Sequence, residues 1–138
     1  MSFVKKVRDG IARPRVAVYL KVVAVFLLVG ALSHLGSIMS INGTSWMAKP
    51  LRFRVVDMVF LPVNLAIAWG LWRKRFWAVV GWVGAVLLLQ FIPFLLFTEF
   101  FATNPRERTM LYGLLAAHAA LLGVFFVLLR GKKEIRIL

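Results

Sequence analysis

Four long apolar runs divide this chain, roughly Val16–Ile41, Val55–Trp72, Phe76–Phe97 and Met110–Leu129, and almost every basic residue falls between them. Each run approaches the ~20 residues that a helix needs to cross ~30 Å of hydrocarbon. A backbone in lipid must satisfy its own hydrogen bonds, which leaves helices and closed barrels as the only spanning structures. Unbroken runs of this length, with no alternation of polar and apolar residues, read as helices. The expected fold is therefore all-α: an integral membrane, antiparallel four-helix bundle that forms one domain over residues 1–138.

A net charge of +13 on 138 residues would suggest nucleic acid in a soluble protein. No nucleic-acid module is visible here, and the charge flanks apolar segments, so no nucleic-acid partner is expected. Membrane topology accounts for the charge instead. The N-terminal arm holds five basic residues (Lys5, Lys6, Arg8, Arg13, Arg15), the loop after the second run three (Arg73, Lys74, Arg75) and the tail four (Arg130, Lys132, Lys133, Arg136). The two loops on the opposite side hold five (Lys49, Arg52, Arg54, Arg106, Arg108). Twelve against five places both termini in the cytoplasm, in an inner-membrane setting with the lipid bilayer as the constant partner. Lys21, just inside the first span, is expected to snorkel to the same face. The first run exceeds the length of a signal-peptide core and lacks a cleavage site, so it reads as a retained span.

Residues 1–15 read either as a short amphipathic helix on the inner surface, with Phe3, Val4, Val7 and Ile11 on one side, or as a disordered basic arm. Residues 130–138 form a basic tail. Pro50 is placed to start the second span, and Trp46 to mark the outer headgroup level. Residues 98–109 read as a loop. The absence of cysteine excludes disulfide exchange and thiolate chemistry. Small residues at Gly30, Ser33 and Ser37, at Gly81 and Ala85, and at Gly113, Ala116, Ala120 and Gly123 allow close helix packing, within the chain or against another subunit.

Polar groups inside the spans are costly and each needs a partner. They are His34 in the first span, Asp57 and Asn64 in the second, Gln90 in the third and His118 in the fourth. With Arg54 they form the candidate ligand-binding set, concentrated in the outer half. Arg54 lies three residues before Asp57 and Asn64 seven after it, on one helical face. The ordinary reading is an Arg54–Asp57 clamp; the alternative is a ligand or proton site. Gln90 with Pro93 suggests a kink whose freed carbonyl Gln90 could satisfy. Two histidines on different helices invite a b-type haem, but their depths differ by about 10 Å at 1.5 Å per residue. No metal site and no catalytic nucleophile–base–orienter set is expected.

The stretch from His34 through Trp46 and Pro50-Leu51-Arg52-Phe53-Arg54-Val55-Val56-Asp57 to Gly70-Leu71-Trp72-Arg73-Lys74-Arg75-Phe76-Trp77 resembles small bacterial four-helix membrane proteins of the DoxX-like kind. The resemblance implies an inner-membrane bundle, sometimes linked to quinone or thiol redox systems; a chain without cysteine does not suit the thiol role. The functional expectation is a non-catalytic accessory or assembly subunit, or a self-associating bundle, working as a homo-oligomer or within a larger membrane complex. The alternatives are a redox-linked protein that binds a quinone, lipid or other apolar ligand in its outer half, and a small transporter.

Overall fold

The computed structural model describes residues 2–131, and within them every regular element is helical. Helix α1 covers Phe3–Ile11, α2 Pro14–Ile38 and α3 Leu51–Trp72. Helix α4 runs over Phe76–Leu96 and α6 over Pro105–Arg130, with a short α5 at Thr98–Phe101. Helices α2, α3, α4 and α6 are each long and apolar enough to cross a membrane. Of the basic tail expected at residues 130–138, Arg130 ends α6 and residues 132–138 lie outside the described residues.

Three of the four spans start earlier than hydropathy suggests, because their first turns are set by capping and not by apolar content, while α4 starts at Phe76 as expected. Pro14 opens α2 one residue after its extended N-cap, and Pro50 caps α3, so both helices begin before their apolar cores. Helix α6 begins at Pro105 and takes five residues from the expected loop. There the Asn104 side chain accepts the Glu107 N–H (2.9 Å), and the Glu107 carboxylate accepts the Thr103 N–H (2.8 Å). This reciprocal arrangement satisfies amide groups that a helix start leaves free.

Two helix ends turn by the same device. Ser40 (φ 59°) and Lys74 (φ 55°) adopt the left-handed conformation just beyond α2 and α3. In each case a pair of bonds closes the last turn: Ile41 N–H to Gly36 O with Ser40 N–H to Ser37 O, and Arg75 N–H to Gly70 O with Lys74 N–H to Leu71 O. These are Schellman closures. The second folds α4 back on α3 through three basic residues. At Gly70 the helices touch so closely that an added Cβ would lie 2.5 Å from Ala78 Cβ.

Neighbouring long helices run antiparallel. Tyr19, early in α2, donates its hydroxyl to the carbonyl of Leu121, late in α6. A core of Leu20, Leu71, Trp82, Val86 and Phe125 fills the proximal end, where α2 begins and α6 finishes. A smaller cluster of Phe60, Phe94 and Leu115 lies toward the distal end. Outward residues such as Val18, Val22, Val29 and Leu88 are large, apolar and exposed, as a lipid-facing surface requires.

The N-terminal segment takes the amphipathic-helix form, with a modification. Helix α1 buries Val7 and Ile11 against the proximal end of the long helices and leaves Lys5, Lys6 and Arg8 outside. Arg8 lies over the Phe76 ring (5.1 Å), and Arg13 Nη1 donates to the carbonyls of Leu129 (3.3 Å) and Gly131 (3.5 Å). Half of the expected apolar face of α1, Val7 and Ile11, therefore covers protein, while Phe3 and Val4 stay exposed.

Helix α4 departs from an ideal helix over Val86–Phe91, which is π-helical. Pro93 lacks an N–H and its ring crowds the preceding turn, and the wider turn before it absorbs that conflict. The expected repair by Gln90 is not formed among the described residues: its amide donates to no carbonyl, and its Oε1, an acceptor, is buried without a partner. The small residues also divide differently from a purely internal seam. A Cβ on Gly30 would meet Asn64 Nδ2 at 3.2 Å, while Gly113 and Gly123 face open space.

Candidate functional site

Asp57 is the centre of a polar cluster at the distal end. The first turns of α3 carry it inward, to 6% exposure, against the last turns of α2. Its Oδ1 lies 2.8 Å from His34 Nδ1, and its Oδ2 accepts hydrogen bonds from Ser37 Oγ (2.7 Å) and Trp46 Nε1 (3.0 Å). Lys49 Nζ donates to the same Ser37 hydroxyl (2.6 Å), which couples an ammonium group to the carboxylate through one oxygen. A buried carboxylate is tolerated when donors and a nearby cation replace water, and this one has three donors.

The expected Arg54–Asp57 clamp is not what forms. Arg54 Nε donates to the Lys49 carbonyl (3.1 Å), and its guanidinium lies over the Trp46 ring (5.9 Å). Among the described residues the one titratable side chain in direct contact with the carboxylate is His34. The reason is geometric: Arg54 and Asp57 share a face, but the chain between Ile38 and Pro50 folds back over that face. It brings Trp46 and Lys49 to the positions a same-helix arginine would have served. Arg54 braces this loop instead.

A carboxylate only accepts hydrogen bonds, so His34 Nδ1 carries a proton toward Asp57 and its Nε2 edge is left free. The imidazole stacks on Phe60 (5.8 Å between centroids) and forms part of the wall of a cavity of about 190 Å³. Asn64 of α3, Gln90 of α4 and His118 of α6 reach the same cavity, so each of the four long helices contributes one polar side chain. The remaining wall is apolar, with Phe60 and Phe94 prominent. The exposed members of the wall, Phe26, Val29 and Leu114, belong to α2 and α6, so the cavity opens sideways between those helices.

Two polar atoms here are buried without partners, Gln90 Oε1 and His118 Nδ1. His118 is 3% exposed and meets the edge of Phe26 (5.4 Å between centroids). An unpartnered buried polar group costs ~1–3 kcal/mol, and both of these atoms belong to residues that line the cavity, set back within its wall. His34 and His118 share this cavity despite the separation in depth expected from residue counting. A macrocycle does not fit, because about 190 Å³ is below the ~300–1,000 Å³ of common cofactor and drug sites. Among the described residues no three His, Cys, Asp or Glu side chains stand together as a metal site.

Of the six sequence candidates, His34, Asn64, Gln90 and His118 meet at the cavity, Asp57 stands behind His34, and Arg54 lies apart from both. Ser37, Trp46 and Lys49 were not anticipated as part of the site. Ser37 was the legible one, because it follows His34 by three residues and shares its face. Trp46 and Lys49 come from an irregular loop, whose path no periodicity encodes. Compared with protein-family models, curated proteins and solved structures, the chain matches none.

Proposed function

We propose that this small multi-pass membrane protein binds an apolar ligand by a small polar head, through the side opening between α2 and α6. The observation that carries this reading is the cavity where His34, Asn64, Gln90 and His118 meet, with an unpartnered polar atom, Gln90 Oε1 and His118 Nδ1, in each of two of these wall residues. Amide and imidazole groups both donate and accept, so the head should carry a carbonyl or hydroxyl group. A single six-membered ring suits about 190 Å³ flanked by Phe60 and Phe94. A ring with carbonyls, a tail left in lipid and a carboxylate-backed imidazole at hand together fit a quinone or related phenol. Asp57 would hold the His34 ring oriented as the ligand gains or loses a proton at Nε2.

Charge asymmetry supports an inner-membrane orientation with both ends cytoplasmic and the cavity in the outer half. As the family reading we propose DoxX-like membrane proteins, on the resemblance of the stretch from His34 to Trp77 alone.

The test is binding of a short-tailed benzoquinone to the purified protein, followed by calorimetry. Saturable 1:1 binding is expected, weakened about three- to tenfold by His118→Leu or Gln90→Leu, the loss of one hydrogen bond each. Absence of saturable binding, or binding by both variants as tight as that of the unaltered protein, overturns the reading.

One observation favours an accessory or self-associating role as the second reading. Gly113, Ala116, Ala120 and Gly123 form an exposed small-residue line on α6. If that line is an interface, Gly113→Leu with Gly123→Leu should abolish a dimer or complex seen by crosslinking in native membranes.

A further inference from the structure

A second concavity, of about 480 Å³, lies on the outer surface between α2 and α3, away from the polar cavity. Ala24 and Ala68 form its floor, and Leu28, Leu65, Trp69 and Trp72 rise as its walls. The Ala side chains leave the hollow, because larger residues there would fill the space between the helices. From Leu65 to Trp72 the groove runs roughly 10 Å along α3 at 1.5 Å per residue.

One end of this groove is cationic. Lys21 lies three, four and seven residues before Ala24, Val25 and Leu28, so it shares their face of α2. Its Nζ rests 4.9 Å from the centre of the Trp72 ring, and Arg73 Cζ rests 4.9 Å from that of Trp69. Both cations are exposed, and among the described residues neither has a carboxylate partner. The other end of the groove is wholly apolar.

We propose that the groove is a specific site for an anionic phospholipid, with its phosphate held by Lys21 and Arg73 and the upper part of an acyl chain lying between α2 and α3. A polar head at one end and an apolar trough at the other match this amphiphile and no soluble anion. The tryptophans set the headgroup level, where indoles prefer to sit. A second copy of the chain is a poor occupant. In a shared membrane orientation it would bring its own basic end to this depth, where Asp9 is the one acidic residue against Lys5, Lys6, Arg8, Arg13, Arg15, Lys21, Arg73, Lys74, Arg75 and Arg130 within residues 2–131. This site does not depend on the quinone reading.

Native mass spectrometry of the full chain in mild detergent tests it, with phosphatidylglycerol and phosphatidylcholine of identical acyl chains as probes. A 1:1 phosphatidylglycerol adduct is expected at roughly one-tenth the concentration needed for phosphatidylcholine, the preference two cations near the surface can supply. Lys21→Gln with Arg73→Gln should remove the preference, Lys5→Gln with Lys6→Gln should keep it, and Leu65→Trp should weaken both lipids by filling the groove. Should the double variant misfold, the unaltered protein still decides: phosphatidylglycerol with brominated chains must quench tryptophan fluorescence more than its phosphatidylcholine counterpart. Equal affinity for the two lipids overturns the proposal. So does an equal loss in the Lys5/Lys6 variant, which means a diffuse basic surface, or a protein dimer in place of the lipid adduct.

Discussion

Asp57 and Gln90 are both buried polar residues in a membrane span, yet they stand in opposite situations. Asp57 accepts from Ser37 and Trp46 and is paired with His34, so its burial is compensated. Gln90 Oε1 has no partner, and Gln90 sits in the π-helical turn that borders the cavity. Retaining an uncompensated amide lowers stability, and binding is what would offset it. Gln90→Leu is therefore expected to stabilise the ligand-free protein by about 1 kcal/mol in thermal denaturation. A loss of stability instead would mean that Gln90 is satisfied in some way the free protein conceals. That these residues are polar and intramembrane is legible in the sequence. Which of them lacks a partner is not, because that depends on side chains from four helices meeting at one depth.

At the scale of the helices, ends are set by local chemistry and middles by hydropathy. The Asn104-Pro105-Arg106-Glu107 stretch holds a capping signal that extends α6 well before its apolar run, and Arg73-Lys74-Arg75 closes α3 by a left-handed residue. Lysine in that conformation is strained by roughly 1 kcal/mol relative to glycine. Lys74→Gly is thus expected to raise the unfolding midpoint by a corresponding increment, about 0.5–1 kcal/mol in thermal or denaturant unfolding, without altering ligand binding. An unchanged or lowered midpoint would show that the turn is not under strain. Capping of this kind spans three or four residues, which is why it can be read from sequence. The π-helical stretch ahead of Pro93 is only half readable: the proline announces a disturbance, but packing against α3 and α6 selects its form.

For the molecule as a whole, α1 is the element whose role the fold decided. Amphipathic spacing announces an apolar face of Phe3, Val4, Val7 and Ile11, and the fold places Val7 and Ile11 on protein at the proximal end while Phe3 and Val4 stay exposed. Arg13 fastens the junction to the end of α6 through two carbonyls. Arg13→Gln is expected to let α1 open, with the amides of Phe3–Ile11 exchanging hydrogen roughly tenfold faster while those of α3 stay unchanged. Uniform exchange across both helices in the variant would indicate that Arg13 does not hold α1.

By itself the sequence determined that the chain spans a membrane with four helices and where its basic residues fall between them. These follow from the cost of unsatisfied backbone in lipid and from one-dimensional runs of apolar residues. It also confined the intramembrane polar groups to a handful of named residues. Tertiary structure alone decided that Asp57 turns to His34, Ser37 and Trp46 and not to Arg54, that four polar residues share one cavity, and that α6 keeps its small-residue line outward. Contacts of that kind depend on the rotation of each helix about its axis and on the path of an irregular loop. Neither is fixed by hydropathy when every face of a helix is apolar.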